Sequence, residues 1–502
     1  MSTAAFERLA QGLRQRPEHP LLITEHQVVT ADELWRRSRA WAERLRGWGL
    51  TRGDRVAVLA GAHPEAVALM LGILRAGLVH VPINPRYRGA ELRHVLVDCG
   101  AARLLCDREL ADERLETLPS ALPWHAIEAP PAPAKHDAPS PDAPVRDDET
   151  ALLVYTSGTT GRSKGVRLSP RAIVDAIGAL TELWRFDPHD VLSLALPLFH
   201  VHGLCIGIYG ALIHGMTVRL HERFEPAAVV DDLAHGATVF MGVPTMYGRL
   251  LEHLQAHPEA AAVLARARLF TAGSAALRPA VLERFEQLTG HRILERYGMS
   301  ETLITLSNPY EGERRAGAVG RPVPGFEARV VDDAGHEVDS GELGELWVRG
   351  PGLMQGYWGR PEETAAAFTD GWFRTGDMVR ADPDGMLRIV GRRSVDIIKS
   401  GGFKVSALEI EEVLRDHPQV EDAAVVGVPD ARWGERIGAA VVPRPGTAPS
   451  ADALTRWVAE RLADYKKPRQ VELMAELPRN ALGKVQKPPI VAALRRPDDP
   501  ER

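Results

Sequence analysis

The stretch Tyr155–Gly165, YTSGTTGRSKG, gathers hydroxyls, glycines and two cations into one short loop. That composition suits a polyphosphate. Glycine lets backbone N–H groups come close, Thr and Ser hydroxyls donate to phosphate oxygens, and Lys164 adds positive charge. It is not a Walker loop, because no register supplies G-x-x-x-x-G-K-[ST]. Taken alone, such a loop is as often a plain surface turn. Further chemistry-bearing strings are Glu295-Arg-Tyr-Gly-Met-Ser-Glu-Thr302, Phe373-Arg-Thr-Gly-Asp377 with Gly391-Arg392, the run Lys399–Glu411, and PRNALGKVQK at Pro478–Lys487. Singly these have bland readings: a core tyrosine, a hairpin turn, a solvated lysine.

The elements that must position these residues are legible as apolar runs. Ala151–Tyr155 reads as a buried strand, which puts the loop at a strand's carboxyl end, where open α/β sheets place ligands. Residues 55–83 read as strand, helix, strand: Arg55–Leu59, Pro64–Ala76 and Val79–Ile83. Short strands are expected at Val191–Leu196, Thr238–Met241 and Leu269–Thr271 with helices between, an α/β pattern. From about Gly320, Gly/Pro turns punctuate strands such as Glu345–Arg349 and Leu387–Val390, a β-rich texture. Ser406-Ala-Leu-Glu409 is a capping box opening a helix. A strand at Ala423–Val428 and a helix around Ala453–Leu462 complete a small α+β lobe. The Pro/Ala/Asp-rich stretch Ala129–Thr150 reads as a surface linker.

Composition bounds the function classes. The 502 residues are 45% apolar and 25% charged, as in an ordinary soluble globular protein, and leave room for two or more domains. Sixty-one basic against 67 acidic side chains give a net charge of −6, so there is no global electrostatic case for nucleic acid or membrane. Cys99, Cys106 and Cys205 have no metal or redox spacing. The polar start lacks a signal h-region and no apolar run is long enough to span a bilayer, so a cytoplasmic enzyme is expected.

The loop string, in this order, resembles the phosphate loop of the adenylate-forming superfamily: acyl-CoA synthetases, aryl-CoA ligases, luciferases and peptide-synthetase adenylation domains. The other strings follow in that superfamily's order. The resemblance implies an α/β fold with a large N-terminal domain, 1–391, made of two α/β sheet subdomains plus a β-rich subdomain. A hinge at 392–395, aligned on Ser394, then leads to a small mobile C-terminal α+β domain, 396–502. It implies that Thr156, Ser157, Gly158, Thr159, Thr160, Gly161 and Lys164 hold ATP phosphates, with Ser274, Glu295 and Gly298 also at the nucleotide. Tyr297 would stack on adenine, Ser300 would contact the α-phosphate, and Glu301 would hold Mg²⁺. Asp377 and Arg392 would bind the ribose, and Lys484 would be the adenylation lysine. Gly401, Gly402 and Phe403 would help build the coenzyme A tunnel, and His200 would gate the acyl and thiol paths.

The acyl pocket carries the substrate reading. His202 lies on the expected pocket wall, and Arg296 precedes the adenine tyrosine where many relatives have glycine. Together with Ser274 and Met246 they would line the acyl site, and a buried Arg–His pair would take a second carboxylate. The alternative is an Arg296 committed to a structural ion pair. The strings PLFHVHGL, GVPTMY, GSAAL and ERYGMSET together resemble the malonyl-CoA synthetase branch, which activates malonate or methylmalonate; Leu303–Ser307 departs from it. The expected partners are therefore a small carboxylate, ATP with Mg²⁺, and coenzyme A, in a monomer or homodimer without nucleic acid or membrane. A medium-chain or aryl acyl-CoA synthetase, a stand-alone enzyme loading a carrier protein, and a non-catalytic scaffold remain as competing readings.

Overall fold

The structure is a computed structural model, and it describes residues 2–112, 122–128, 142–156, 163–393, 395–400, 403–430, 432–479 and 485–496. The chain divides into two compact units. The larger holds residues 1–328 and 348–373, the smaller residues 329–347 and 374–502. The expected hinge residues 392–395 fall inside the smaller unit, and Ser394 itself lies outside the described residues. Most of the expected linker at 129–150 also lies outside them.

The larger unit contains two mixed sheets, as the α/β pattern predicts. One has nine strands. Its centre is parallel and runs Leu294–Met299, Leu269–Ala272, Val239–Gly242, Val191–Leu194, Thr217–Leu220 and Pro20–Ile23. Antiparallel strands close it at both ends: Leu303–Ser307 with Arg321–Pro322 on one side, Val28–Thr30 on the other. The other sheet has seven strands. Trp124–Ala126, Arg103–Cys106, Arg55–Leu59, Val79–Ile83 and Leu152–Thr156 are parallel, and Lys164–Leu168 and Gly356–Tyr357 add on antiparallel. The central strands are largely apolar because helices cover both faces of such sheets. Under the nine-stranded sheet, Phe240, Tyr247, Phe270 and Phe285 pack edge to face, with ring centroids 4.9 Å apart for Phe270–Phe285 and 5.4 Å for Tyr247–Phe285. Such pairs add about 0.5–1.5 kcal/mol each beyond burial, and they anchor strands Val239–Gly242 and Leu269–Ala272.

In the smaller unit, Asp377–Ala381 of strand Trp372–Ala381 pairs antiparallel with Leu387–Arg392. Beyond it a five-stranded sheet carries Phe403–Ser406, Ile397–Ser400, Gly434–Pro443 and Val420–Asp430, with Gln470–Leu473 parallel to Gly434–Pro443. Helices Ala407–Arg415, Ala451–Ala459 and Lys487–Leu494 pack on it. The capping box forms: Ser406 Oγ accepts from the Glu409 amide at 3.3 Å. No helix among the described residues is long and apolar enough to cross a membrane.

Candidate active site

The phosphate-type loop is held at both ends. Thr156 pairs with Lys164 across an antiparallel ladder, so residues 157–162 connect the two ends of one hairpin. Ser157, Gly158, Thr159, Thr160 and Gly161 lie outside the described residues. On the entering strand, the Tyr155 hydroxyl donates to Asp98 Oδ2 at 2.7 Å, and Arg360 Nη2 donates to Asp98 Oδ1 at 2.7 Å. Burial, then the Asp98 carboxylate, push the Tyr155 phenol up, so it stays a donor. On the leaving strand, His94 Nε2 donates to the Ser163 carbonyl at 2.8 Å. Lys164 pairs with Glu363 and lies 5.1 Å from the Tyr357 ring centroid. The Tyr357 hydroxyl in turn donates to Glu301 Oε1 at 3.0 Å. Tyr357 is therefore the physical link between the loop's lysine and the expected metal-binding carboxylate.

The motif from Glu295 to Thr302 is a strand and a tight turn. Strand Leu294–Met299 pairs with Leu303–Ser307 through a bulge at Tyr297/Gly298. A Cβ on Gly298 would sit 1.9 Å from the Leu303 carbonyl oxygen, so only glycine fits there. Ser300 and Glu301 occupy the turn, and the Glu301 carbonyl accepts from the Met354 amide at 2.8 Å. Glu301 is buried and Tyr297 half-buried. The Glu295 carboxylate accepts from the Leu277 amide at 3.1 Å, which pins the Gly273–Leu277 segment to the strand. No group of three or more His, Cys, Asp or Glu side chains among the described residues is arranged to cage a metal. Glu301 instead offers one carboxylate, the donor set that suits a hard cation sharing its remaining ligands with phosphates and water.

His202, Ser274 and Arg296 come together from three elements of the larger unit. Arg296 points inward from its strand, at 3% exposure, and His202 opens a π-helix, His202–Tyr209, at 5%. Ser274 follows strand Leu269–Ala272 and adopts a left-handed backbone with φ 69°. Its Oγ lies 3.2 Å from His202 Nδ1. The guanidinium lies against Gly273, where a Cβ would meet Arg296 Cζ at 2.4 Å. Among the described residues, Arg296 Nε and Nη2 and His202 Nε2 have no hydrogen-bond partner. Burial pushes the Arg296 guanidinium down to about 9, which leaves it cationic at neutral pH. Burial first, and then the Arg296 charge, hold His202 well below the usual imidazole range, so it is neutral. His200, half-buried against Phe199, is lowered to about 4 by burial. Met246 sits in the first turn of helix Pro244–Ala256 and packs on the aromatic cluster.

In the smaller unit, Arg392 Nε pairs with Asp377 Oδ1 at 2.9 Å across the hairpin, and Asp377 is buried. The Arg392 amide donates to Asp396 Oδ2 at 3.0 Å, and Lys487 Nζ pairs with Asp396 Oδ1 at 2.6 Å and Glu411 Oε1 at 2.9 Å. Phe403 is exposed and stacks on Tyr465 with centroids 4.3 Å apart. Lys484, Gly401 and Gly402 lie outside the described residues. Tyr357, Asp98, Arg360 and Glu363 were not anticipated from sequence. For Tyr357 a signal existed in the aromatic pair of the Gly356-Tyr-Trp358 run, set between glycines.

The chain belongs to the AMP-binding enzyme family: residues 9–358 match that family's model and residues 409–484 match its C-terminal domain. It is an AMP-forming acyl-CoA synthetase, a ligase. It is 37% identical to the mitochondrial malonate–CoA ligase ACSF3 of Homo sapiens, over 94% of this chain and 89% of that one. It is 38% identical to a feruloyl-CoA synthase of an Amycolatopsis species, over 95% and 98% of the two chains. Its fold superposes on ATP-bound MatB from Rhodopseudomonas palustris with a TM-score of 0.90 at 35% identity, covering 98% of this chain and 99% of that one.

Proposed function

We propose that this ligase activates malonate or a 2-substituted malonate. It uses ATP to form an acyl-adenylate and pyrophosphate, then transfers the acyl group to coenzyme A with release of AMP. The observation that carries the proposal is the buried set of nitrogens on Arg296 and His202 that have no hydrogen-bond partner among the described residues. A second carboxylate gives Arg296 a bidentate, charge-assisted partner. An acetyl or fatty acyl group leaves those donors dry and unpaired, at a cost of about 1–3 kcal/mol for each unsatisfied group. The likeness to malonate–CoA ligases supports the same acid.

The reacting carboxylate needs no general base, since such acids ionise near pH ~4. One of its oxygens attacks the α-phosphorus of ATP and the bond to pyrophosphate breaks. In this reading Thr156–Lys164 grips the leaving phosphates, Tyr297 stacks on adenine, Ser300 meets the α-phosphate, and Asp377 and Arg392 hold the ribose. Glu301 would hold Mg²⁺, whose charge offsets that of the phosphates. Lys484 supplies the ammonium that stabilises the pentavalent phosphorus. The C-terminal segment 396–502 then turns on the 392–395 hinge, Gly401–Phe403 help line the thiol's path, the sulfur attacks the acyl carbon, and AMP leaves. A cytoplasmic location is part of the proposal, supported by three buried free cysteines.

Steady-state comparison of malonate, methylmalonate, acetate, octanoate and ferulate under one set of conditions tests the reading. Malonate or methylmalonate is expected to give the highest kcat/KM; preference for octanoate or ferulate replaces the dicarboxylate reading with the medium-chain or aryl one.

A further inference from the structure

One carboxylate stands between two cations beside the loop Tyr155–Gly165, and it belongs to none of the motifs. Glu363 lies in the short helix Pro361–Ala366. Its Oε2 pairs with Lys164 Nζ, and its Oε1 faces Arg360 Nε at 3.6 Å. The first contact is a close ion pair; the second is too long for a hydrogen bond. Arg360 is itself fixed from the other side. Its Nη2 donates to Asp98 Oδ1 at 2.7 Å, and Asp98 Oδ2 accepts from the Tyr155 hydroxyl. Tyr155 and Lys164 lie on paired strands at the two ends of the loop. Glu363 is thus shared between the lysine expected to grip phosphate and an arginine held by the strand that enters the loop. Lys164, Glu363 and Arg360 are all partly exposed, so an anion arriving from solvent can reach the ammonium. A phosphate that approaches Lys164 also meets the Glu363 charge, and like charges at that range repel. A swing of Oε1 by about 1 Å toward Arg360 closes their contact to hydrogen-bond range and takes the carboxylate away from the phosphate.

We infer that Glu363 is a positioning residue that trades Lys164 for Arg360: it neutralises the lysine, yields the ammonium when the phosphates of ATP arrive, and takes Arg360 as its partner instead. This rests on the reading of Lys164 as a phosphate ligand given above. The carboxylate competes with phosphate for one ammonium, so it loosens the hold on ATP and on pyrophosphate alike. Its return to Lys164 helps the leaving group depart.

Glu363→Gln keeps the side chain's shape and removes its charge. The KM for ATP and the inhibition constant of pyrophosphate are expected to fall together, about two- to fivefold, the range for a partly exposed ion pair, with the KM for malonate unchanged. Raising the salt to about 0.5 M is expected to shrink the difference from wild type. Arg360→Gln removes the carboxylate's second partner and is expected to raise the KM for ATP by a similar factor. Arg360 also holds Asp98, so the Arg360→Gln, Glu363→Gln double variant separates the exchange of partners from any disturbance of the strand. With the carboxylate gone, losing Arg360 is expected to add nothing, and the double variant matches Glu363→Gln. A KM for ATP that rises or stays level in Glu363→Gln overturns the inference, as does an Arg360→Gln effect that persists in full in the double variant. Failure of the phosphate-ligand reading shows separately, as a KM for ATP that Lys164→Ala leaves unchanged.

Discussion

In the proposed reading, the value of Arg296 lies in binding rather than in stability. Its guanidinium sits at 3% exposure, pressed on Gly273, with two nitrogens unpartnered among the described residues. A buried ion without its partner costs several kcal/mol, and replacing it with an apolar side chain of similar volume relieves that cost. Arg296→Met is therefore expected to raise stability by about 1–3 kcal/mol while lowering malonate kcat/KM about 10²–10³-fold, the loss of a buried charge pair of about 3–4 kcal/mol. Urea unfolding and steady-state kinetics on the same preparation check both halves. A variant that is less stable than the wild type points to a structural ion pair instead. Lys484 is the opposite kind of residue, proposed to act on charge that exists only during adenylation. Lys484→Ala is expected to lose ATP-dependent adenylate formation by more than about 10²-fold yet still convert preformed malonyl-adenylate to the thioester. Equal loss of both half-reactions would remove the lysine from that role.

Elements decide which of these residues meet, and they were unequally legible. The strands Arg55–Leu59 and Val79–Ile83 coincide with their apolar runs, because a strand buried on both faces needs no alternation to announce it. The capping box at Ser406 is a local device and appears as written. The π-helix at His202–Tyr209 was not legible: its run HGLCIGIY is apolar throughout, and a fully buried segment carries no period from which to read its winding. The two-residue edge strand Gly356–Tyr357 was missed for a different reason. Its pairing with Val166 and Arg167 is non-local, and nothing near it in sequence points to Glu301. Yet this short strand sets Tyr357 between Lys164 and Glu301. Tyr357→Phe keeps the ring under Lys164 and deletes only the hydroxyl that steadies the carboxylate. The expected result is a three- to tenfold rise, roughly one hydrogen bond's worth, in the Mg²⁺ concentration needed for half-maximal rate, with the KM for malonate unchanged. A titration of rate against Mg²⁺ at fixed ATP reads it, and a shift in malonate KM alone would detach Tyr357 from the nucleotide site.

At the scale of the molecule, burial has made some titratable groups into acid-labile points. In the smaller unit, Lys487 is held by Asp396 and Glu411 together, a paired arrangement that keeps its charge despite burial, and the Asp396 contact ties the last helix to the segment that follows Arg392. The larger unit has the unpaired case. His80 lies in the middle of the seven-stranded sheet at 4% exposure, its Nδ1 has no hydrogen-bond partner among the described residues, and burial lowers its pKa to about 3. In the unfolded chain the same ring titrates near 6.5. Between those values the unfolded state binds a proton that the folded state refuses, so stability is full above pH ~6.5 and falls as the pH drops toward ~3. One such histidine contributes a slope of up to about 1.4 kcal/mol per pH unit across that window. His200, lowered to about 4, adds a second contribution over a narrower range. His80→Leu is accordingly expected to flatten the dependence of urea-unfolding free energy on pH between 6.5 and 4 by about that slope, while leaving stability at pH 8 within about 1 kcal/mol. Parallel unfolding series at half-unit pH steps measure it. If wild type and variant lose stability in parallel on acidification, His80 is not the proton-refusing site.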